Sequence, residues 1–94
     1  MSVAIIGGLD RLKRSYEEKG NRLGYRVKVF SHKVPNLGER LSGMDRIVIF
    51  TGTVAHQMVN EVVRVARKYN IPVGRVHNSS VSAMARCLEP VAVF

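Results

Sequence analysis

The sequence predicts an α/β domain built on a parallel sheet, and three observations predict it. Residues 3–6 (VAII) and 47–50 (IVIF) are continuously apolar, as in strands covered on both faces. Apolar residues at 55, 58, 59, 62, 66 and 69 form the stripe of an amphipathic helix. Strand and helix patterns alternate along the chain, which calls for right-handed crossovers and helices on both faces of the sheet.

The elements follow in order. Residues 3–6 form a central strand ending in Gly7 and Gly8, and Leu9, Leu12, Tyr16 and Leu23 then recur at helical spacing over residues 9–22. The second strand, YRVKVF (25–30), alternates Tyr25, Val27 and Val29 with Arg26 and Lys28, so its wet face suits a sheet edge. Residues 31–45 hold Pro35, Gly38 and Gly43 around Leu37 and Leu41, the pattern of a loop with at most a short helix. RIVIF (46–50) is the second central strand, and its turn Thr51-Gly52-Thr53 leads into the striped helix, which Asn70 and Pro72 end. PVGRV (72–76) is a fourth strand and SVSAMARCL (80–88) a short last helix. VAVF (91–94) is either a fifth strand or an apolar tail for a partner. With the wet strand at an edge and the apolar ones inside, the order is 2-1-3-4(-5). This is a small three-layer, Rossmann-like or flavodoxin-like domain with four or five strands.

Length and charge narrow the function classes. A chain of 94 residues is expected to be one domain, 1–94, burying about 60–65% of its unfolded surface. The first residues lack the order of a secretory signal and no stretch is long enough to span a bilayer. One cysteine, Cys87, offers neither a disulfide nor zinc-type spacing, so a cytoplasmic, membrane-free protein is expected. Fifteen Lys and Arg against seven Asp and Glu give a net charge of +8, which favours anionic partners. Two acid-free groups carry much of it: Lys19, Arg22, Arg26, Lys28 and Lys33, then Arg64, Arg67, Lys68, Arg75 and Arg86. Nucleic acid is therefore a possible partner, but no recognition motif is present and exposed aromatic residues are scarce.

Open α/β sheets bind ligands outside the carboxyl ends of their strands, where the strand order switches. Three turns meet that edge: Gly7 and Gly8 with Arg11, then Thr51, Gly52 and Thr53 with His56, then His77, Asn78, Ser79 and Ser80 with Ser82. Each leads into a helix whose first N–H groups are unpaired. The glycines permit close backbone approach, the hydroxyls donate hydrogen bonds, and Arg11 supplies a counter-charge. The combination suits a phosphate- or carboxylate-bearing small molecule, although glycine turns and Ser/Thr caps are also ordinary structural devices. Neither G-x-G-x-x-G nor a P-loop is present. His56 lies off the apolar stripe and His77 ends strand 4 at the same edge, so both are candidate ligands for a metal or a haem iron. Cys87 falls at the far end of its helix, a packing position. His32 follows the edge strand. A Ser-His-Asp site would need Asp10, His56 and one serine, but the nucleophile elbow G-x-S-x-G is missing and Asp45 belongs to the opposite edge, so no catalytic residue is assigned. VAVF with Val63 and Val65 suggests a homodimer.

The segments IIGGLDRL, DRIVIFTGTVAHQMVNEVVRVARKYNIPV and HNSSVSAMARCL together resemble the bacterial domain-of-unknown-function family numbered twenty-three twenty-five. The match runs over nearly the whole chain. The resemblance implies a Rossmann-like domain with Gly7, Gly8, His56, Ser79, Ser80 and Ser82 at the matching positions, and it implies no established activity. Part of that family is associated with iron or haem, which adds weight to His56. This chain lacks the Cys-rich third helix of many members, so cysteine-dependent iron chemistry does not carry over.

Overall fold

The computed structural model of the chain describes residues 1–88. Its elements are β1 (Ser2–Ile6), a 3-10 turn (Asp10–Leu12), α1 (Lys13–Arg22), β2 (Arg26–Phe30), α2 (Leu37–Leu41), β3 (Arg46–Phe50), α3 (His56–Tyr69), β4 (Val73–Val76) and α4 (Val81–Leu88). The four strands pair in parallel in the order β2-β1-β3-β4. VAVF lies outside the described residues, so neither of its two readings is addressed. No helix among the described residues is long and apolar enough to cross a membrane.

Side chains alternate across the strands and divide the core into two layers. On one face Ala4, Ile6, Phe30, Ile47 and Ile49 meet Leu37 and Leu41 of α2 and Met58, Val59, Val62 and Ala66 of α3. On the other, Val3, Ile5, Val48 and Phe50 meet Tyr16 of α1 and Met84 and Leu88 of α4. Residues 3–6 and 47–50 are buried throughout, while Arg26 and Lys28 keep the outer face of β2 in water.

The first helix differs from its sequence reading at its start. Residues 10–12 wind as a 3-10 turn and the α-helix begins at Lys13, with no side chain capping either segment. Asn70, left-handed at φ 56°, ends α3, as its sequence foretells. Val63 and Val65, read from the sequence as spare apolar residues, are partly buried against the α2–α3 core.

The fold also decides whether the two basic groups meet. Arg26 and Lys28 stand on edge strand β2 and Lys19 and Arg22 at the end of α1. Arg64, Arg67 and Lys68 lie on α3, and Arg75 lies on β4, the other edge. Most of the excess charge is therefore split between opposite edges of the sheet.

Candidate functional site

The three turns do converge at the carboxyl end of the sheet, beside the switch between β1 and β3. Leu9, Arg11, Leu12, Gly52, Thr53, His77, Asn78, Ser79 and Ser80 line a cavity of about 550 Å³ there. A second cavity of about 240 Å³ opens on the other side of Thr53, between residues 31–33 and the first turns of α3.

A hydrogen-bond network fixes the three turns to one another. The Gly8 amide donates to Thr53 Oγ1 at 2.8 Å, and Thr53 Oγ1 lies 3.0 Å from Ser79 Oγ and 3.3 Å from the Phe50 carbonyl. A hydroxyl has one proton and two lone pairs. If the Thr53 proton is on the Phe50 carbonyl, Thr53 accepts from both Gly8 and Ser79 and is saturated. Below it, the fully buried Tyr16 accepts from the Leu9 amide at 3.1 Å and donates to the Ser79 carbonyl at 2.5 Å. The first and last turns are thus joined by residues 63 positions apart in the chain. Sequence periodicity places Tyr16 on the buried stripe of α1, but it carries no signal of what the hydroxyl reaches.

The glycines also have structural work in this network. Gly8 has φ +90°, its amide is already bonded, and a Cβ there would lie 2.8 Å from a Tyr16 ring carbon. Its small size serves the packing of Tyr16. A Cβ on Gly52 would lie 2.6 Å from the His77 carbonyl, so that glycine lets the β3–α3 turn close on the end of β4. Gly7 is buried, with its amide bonded to the Phe30 carbonyl at 2.9 Å. The backbone of the Gly-Gly turn therefore holds the turn itself.

What remains to face the cavity is chiefly side chain. Asn78 Oδ1 accepts the Ser80 amide at 2.9 Å, which leaves the Asn78 NH₂ group as a donor. Ser80 Oγ caps α4 by accepting the Ala83 amide at 3.1 Å, which leaves its own proton to donate. His77 and Arg11 complete the polar wall, with Leu9 and Leu12 as its apolar part, and among the described residues no carboxylate lines the cavity. Asp10, beside Arg11, is directed to His32, whose Nε2 lies 3.5 Å away, with both side chains exposed.

Other candidates fall outside the cavity lining. Thr51 donates to the Val76 carbonyl through its amide at 2.8 Å, a strand-end contact. Ser82 is exposed on α4. His56 is exposed in the first turn of α3 and lines neither of the two cavities, so it does not share a wall with His77. Among the described residues no group of three or more His, Cys, Asp or Glu is arranged to hold a metal ion. Cys87 sits at the opposite end of the sheet, against Gly74, and burial pushes its thiol pKa up while the Arg46 charge opposes the rise. Asp45 also belongs to that end, where its carboxylate accepts the Ser2 amide at 2.7 Å.

Fold and cavity together define a small Rossmann-like α/β domain with a polar pocket, lined by Arg11, His77, Asn78 and Ser80, at its topological switch point. The chain belongs to a family of uncharacterised proteins conserved in bacteria (DUF2325), whose profile covers residues 2–91. No curated protein matches it. Among solved structures it is similar to the lactose-specific IIB component domain of the phosphoenolpyruvate:carbohydrate phosphotransferase system from Streptococcus pneumoniae. The TM-score is 0.59 with 11% identity, over 92% of this chain and 85% of that one. At that identity the likeness is one of fold.

Proposed function

We propose that this domain is a binding or regulatory module that holds an anionic small molecule, bearing a phosphate or carboxylate, at the carboxyl end of its sheet. The observation that carries the reading is the composition of the larger cavity. Among the described residues its one charged lining residue is Arg11, and Asn78, Ser80 and His77 face it with donor groups that the internal network leaves over. Arg11 provides charge and a planar fork of donors, and the helix end at Ser80 adds about 0.3–1 kcal/mol toward an anion. The locked turns hold these groups in place before the ligand arrives, which lowers the ordering cost of binding. His77, which lines the cavity, is the imidazole donor of this reading, and His56 lies outside the lining. The internal bonds of Thr53, Gly8 and Ser79 make them scaffold for the site.

Nuclear magnetic resonance titration with inorganic phosphate tests the proposal. The expected result is a saturable shift of the Gly52, Asn78, Ser79 and Ser80 amides that weakens roughly tenfold or more in Arg11→Ala. Shifts that are absent, or unchanged by the substitution, contradict it. A haem- or metal-binding regulatory domain is the second reading, supported by His77 standing with Leu9 and Leu12 in one cavity wall. Titration with haemin decides it: a Soret band that moves in His77→Ala supports the reading, and no band in the wild type ends it.

A further inference from the structure

The second basic group of the sequence has no part in the cavity at the carboxyl end, and the fold gives it a hollow of its own. Asn60, Val63, Arg64 and Arg67 of α3 and Arg75 of β4 line a concavity of about 370 Å³. It shares no lining residue with the two cavities described above.

Topology brings the three arginines together. Asn60, Arg64 and Arg67 follow one another at i, i+4 and i+7, so they occupy one face of α3. Arg75 is in register with Ile49, a residue of the α2–α3 core, so its side chain leaves the edge strand on the α3 side. Three guanidinium groups from two elements thus open on one hollow floored by Val63. Among the described residues its lining has no carboxylate, and Glu61 of the same helix lines the 240 Å³ cavity instead. Among the described residues, the ion pairs are Arg14–Glu18 and His32–Asp10, and none of these three arginines takes part.

Placing like charges together in a domain of net charge +8 costs free energy through self-repulsion, and a multivalent anion in the hollow would remove that cost. Guanidinium matches phosphate oxygens two at a time, and the size of the hollow falls in the range of about 300–1,000 Å³ usual for small-molecule sites. It exceeds what one phosphate group fills. Tyr69, the exposed aromatic residue of α3, is two positions beyond Arg67 and so faces away from the hollow, where it lies under Lys68 at 5.5 Å. A base-stacking platform beside the arginines is therefore missing among the described residues, which favours a compact ligand over a nucleic-acid strand.

We propose that the hollow formed by Arg64, Arg67 and Arg75 binds a small molecule carrying a polyphosphate group, independently of the site at the carboxyl end. Calorimetric titration of the full chain with sodium triphosphate at constant ionic strength tests it, with amide spectra to locate the ligand. Saturable binding is expected, with shifts at Asn60, Arg64, Arg67 and Arg75. Arg64→Gln and Arg75→Gln should each weaken it roughly tenfold or more. The charge-matched Arg22→Gln, on the opposite edge, should leave it unchanged. All three side chains are exposed, and thermal melting confirms that the variants fold. The proposal is overturned by the absence of saturable heat, by equal affinity in all the variants, or by shifts confined to the Arg11 cavity. Binding of a DNA duplex through these arginines without binding of triphosphate overturns it as well.

Discussion

The two ends of the sheet are built from similar residue types but put them to opposite uses. At the amino end the chain closes on itself: Ser2 and Asp45 exchange bonds of 2.7 and 2.8 Å, and Arg46 donates to the Cys87 carbonyl at 2.7 Å. The space left there is about 130 Å³, lined largely by Ile47, Val48, Pro72, Val73 and Cys87. At the carboxyl end Tyr16, Thr53 and Ser79 bond the turns together underneath a cavity of about 550 Å³, whose rim carries Arg11, His77, Asn78 and Ser80. At the first end the Ser2 amide, the Asp45 carboxylate and the Arg46 guanidinium are bonded within the chain. The polar groups of the second are divided between a layer that bonds the turns together and a layer that lines the cavity, and the proposed anion site rests on that division.

The largest effect expected from breaking this comparison comes from Tyr16. Tyr16→Ala removes a fully buried aromatic ring and should destabilise the domain by about 3–5 kcal/mol, measured by urea unfolding. Tyr16→Phe keeps the ring and leaves the Leu9 amide and the Ser79 carbonyl without their partner. Its expected cost is about 1–3 kcal/mol, together with faster amide exchange at Leu9 and weaker phosphate binding. Arg11→Ala should separate the two layers in the opposite sense, lowering affinity while stability stays within about 0.5 kcal/mol of wild type. Asp45→Ala at the amino end should cost about 0.5–1.5 kcal/mol through the Ser2 amide and leave phosphate affinity unchanged.

The smallest effect concerns Cys87. Burial, opposed by the charge of Arg46, raises its pKa in the folded chain, so the thiol holds its proton to higher pH there than in the unfolded chain. The resulting contribution to stability is complete below the unfolded thiol's pKa and is lost as pH rises through and above it. Alkylation by iodoacetamide at pH 8 should accordingly run slower in the folded protein than in urea, and equal rates would contradict the burial.

Much of this architecture is legible in the sequence because burial has a period. The apolar runs at 3–6 and 47–50 identify the central strands, Arg26 and Lys28 mark an edge, and the α3 stripe with Asn70 ends where the helix ends. The meeting of the three turns follows from strand order alone. Their division of labour does not, because the partners of Gly8 and Tyr16 lie 45 and 63 residues away and no local pattern encodes them. His56 shows the limit plainly. Its position off the apolar stripe is legible, but a residue off the stripe can face either a cavity or open water, and only the packing around α3 chooses water.

Native mass spectrometry of the protein purified from bacterial cells, set beside its denatured mass, tests the central claim most directly. The account predicts a non-covalent adduct whose mass corresponds to a phosphate- or carboxylate-bearing compound in the wild type, and its loss in Arg11→Ala. An adduct that persists in Arg11→Ala, or a native mass equal to the denatured one, would contradict it.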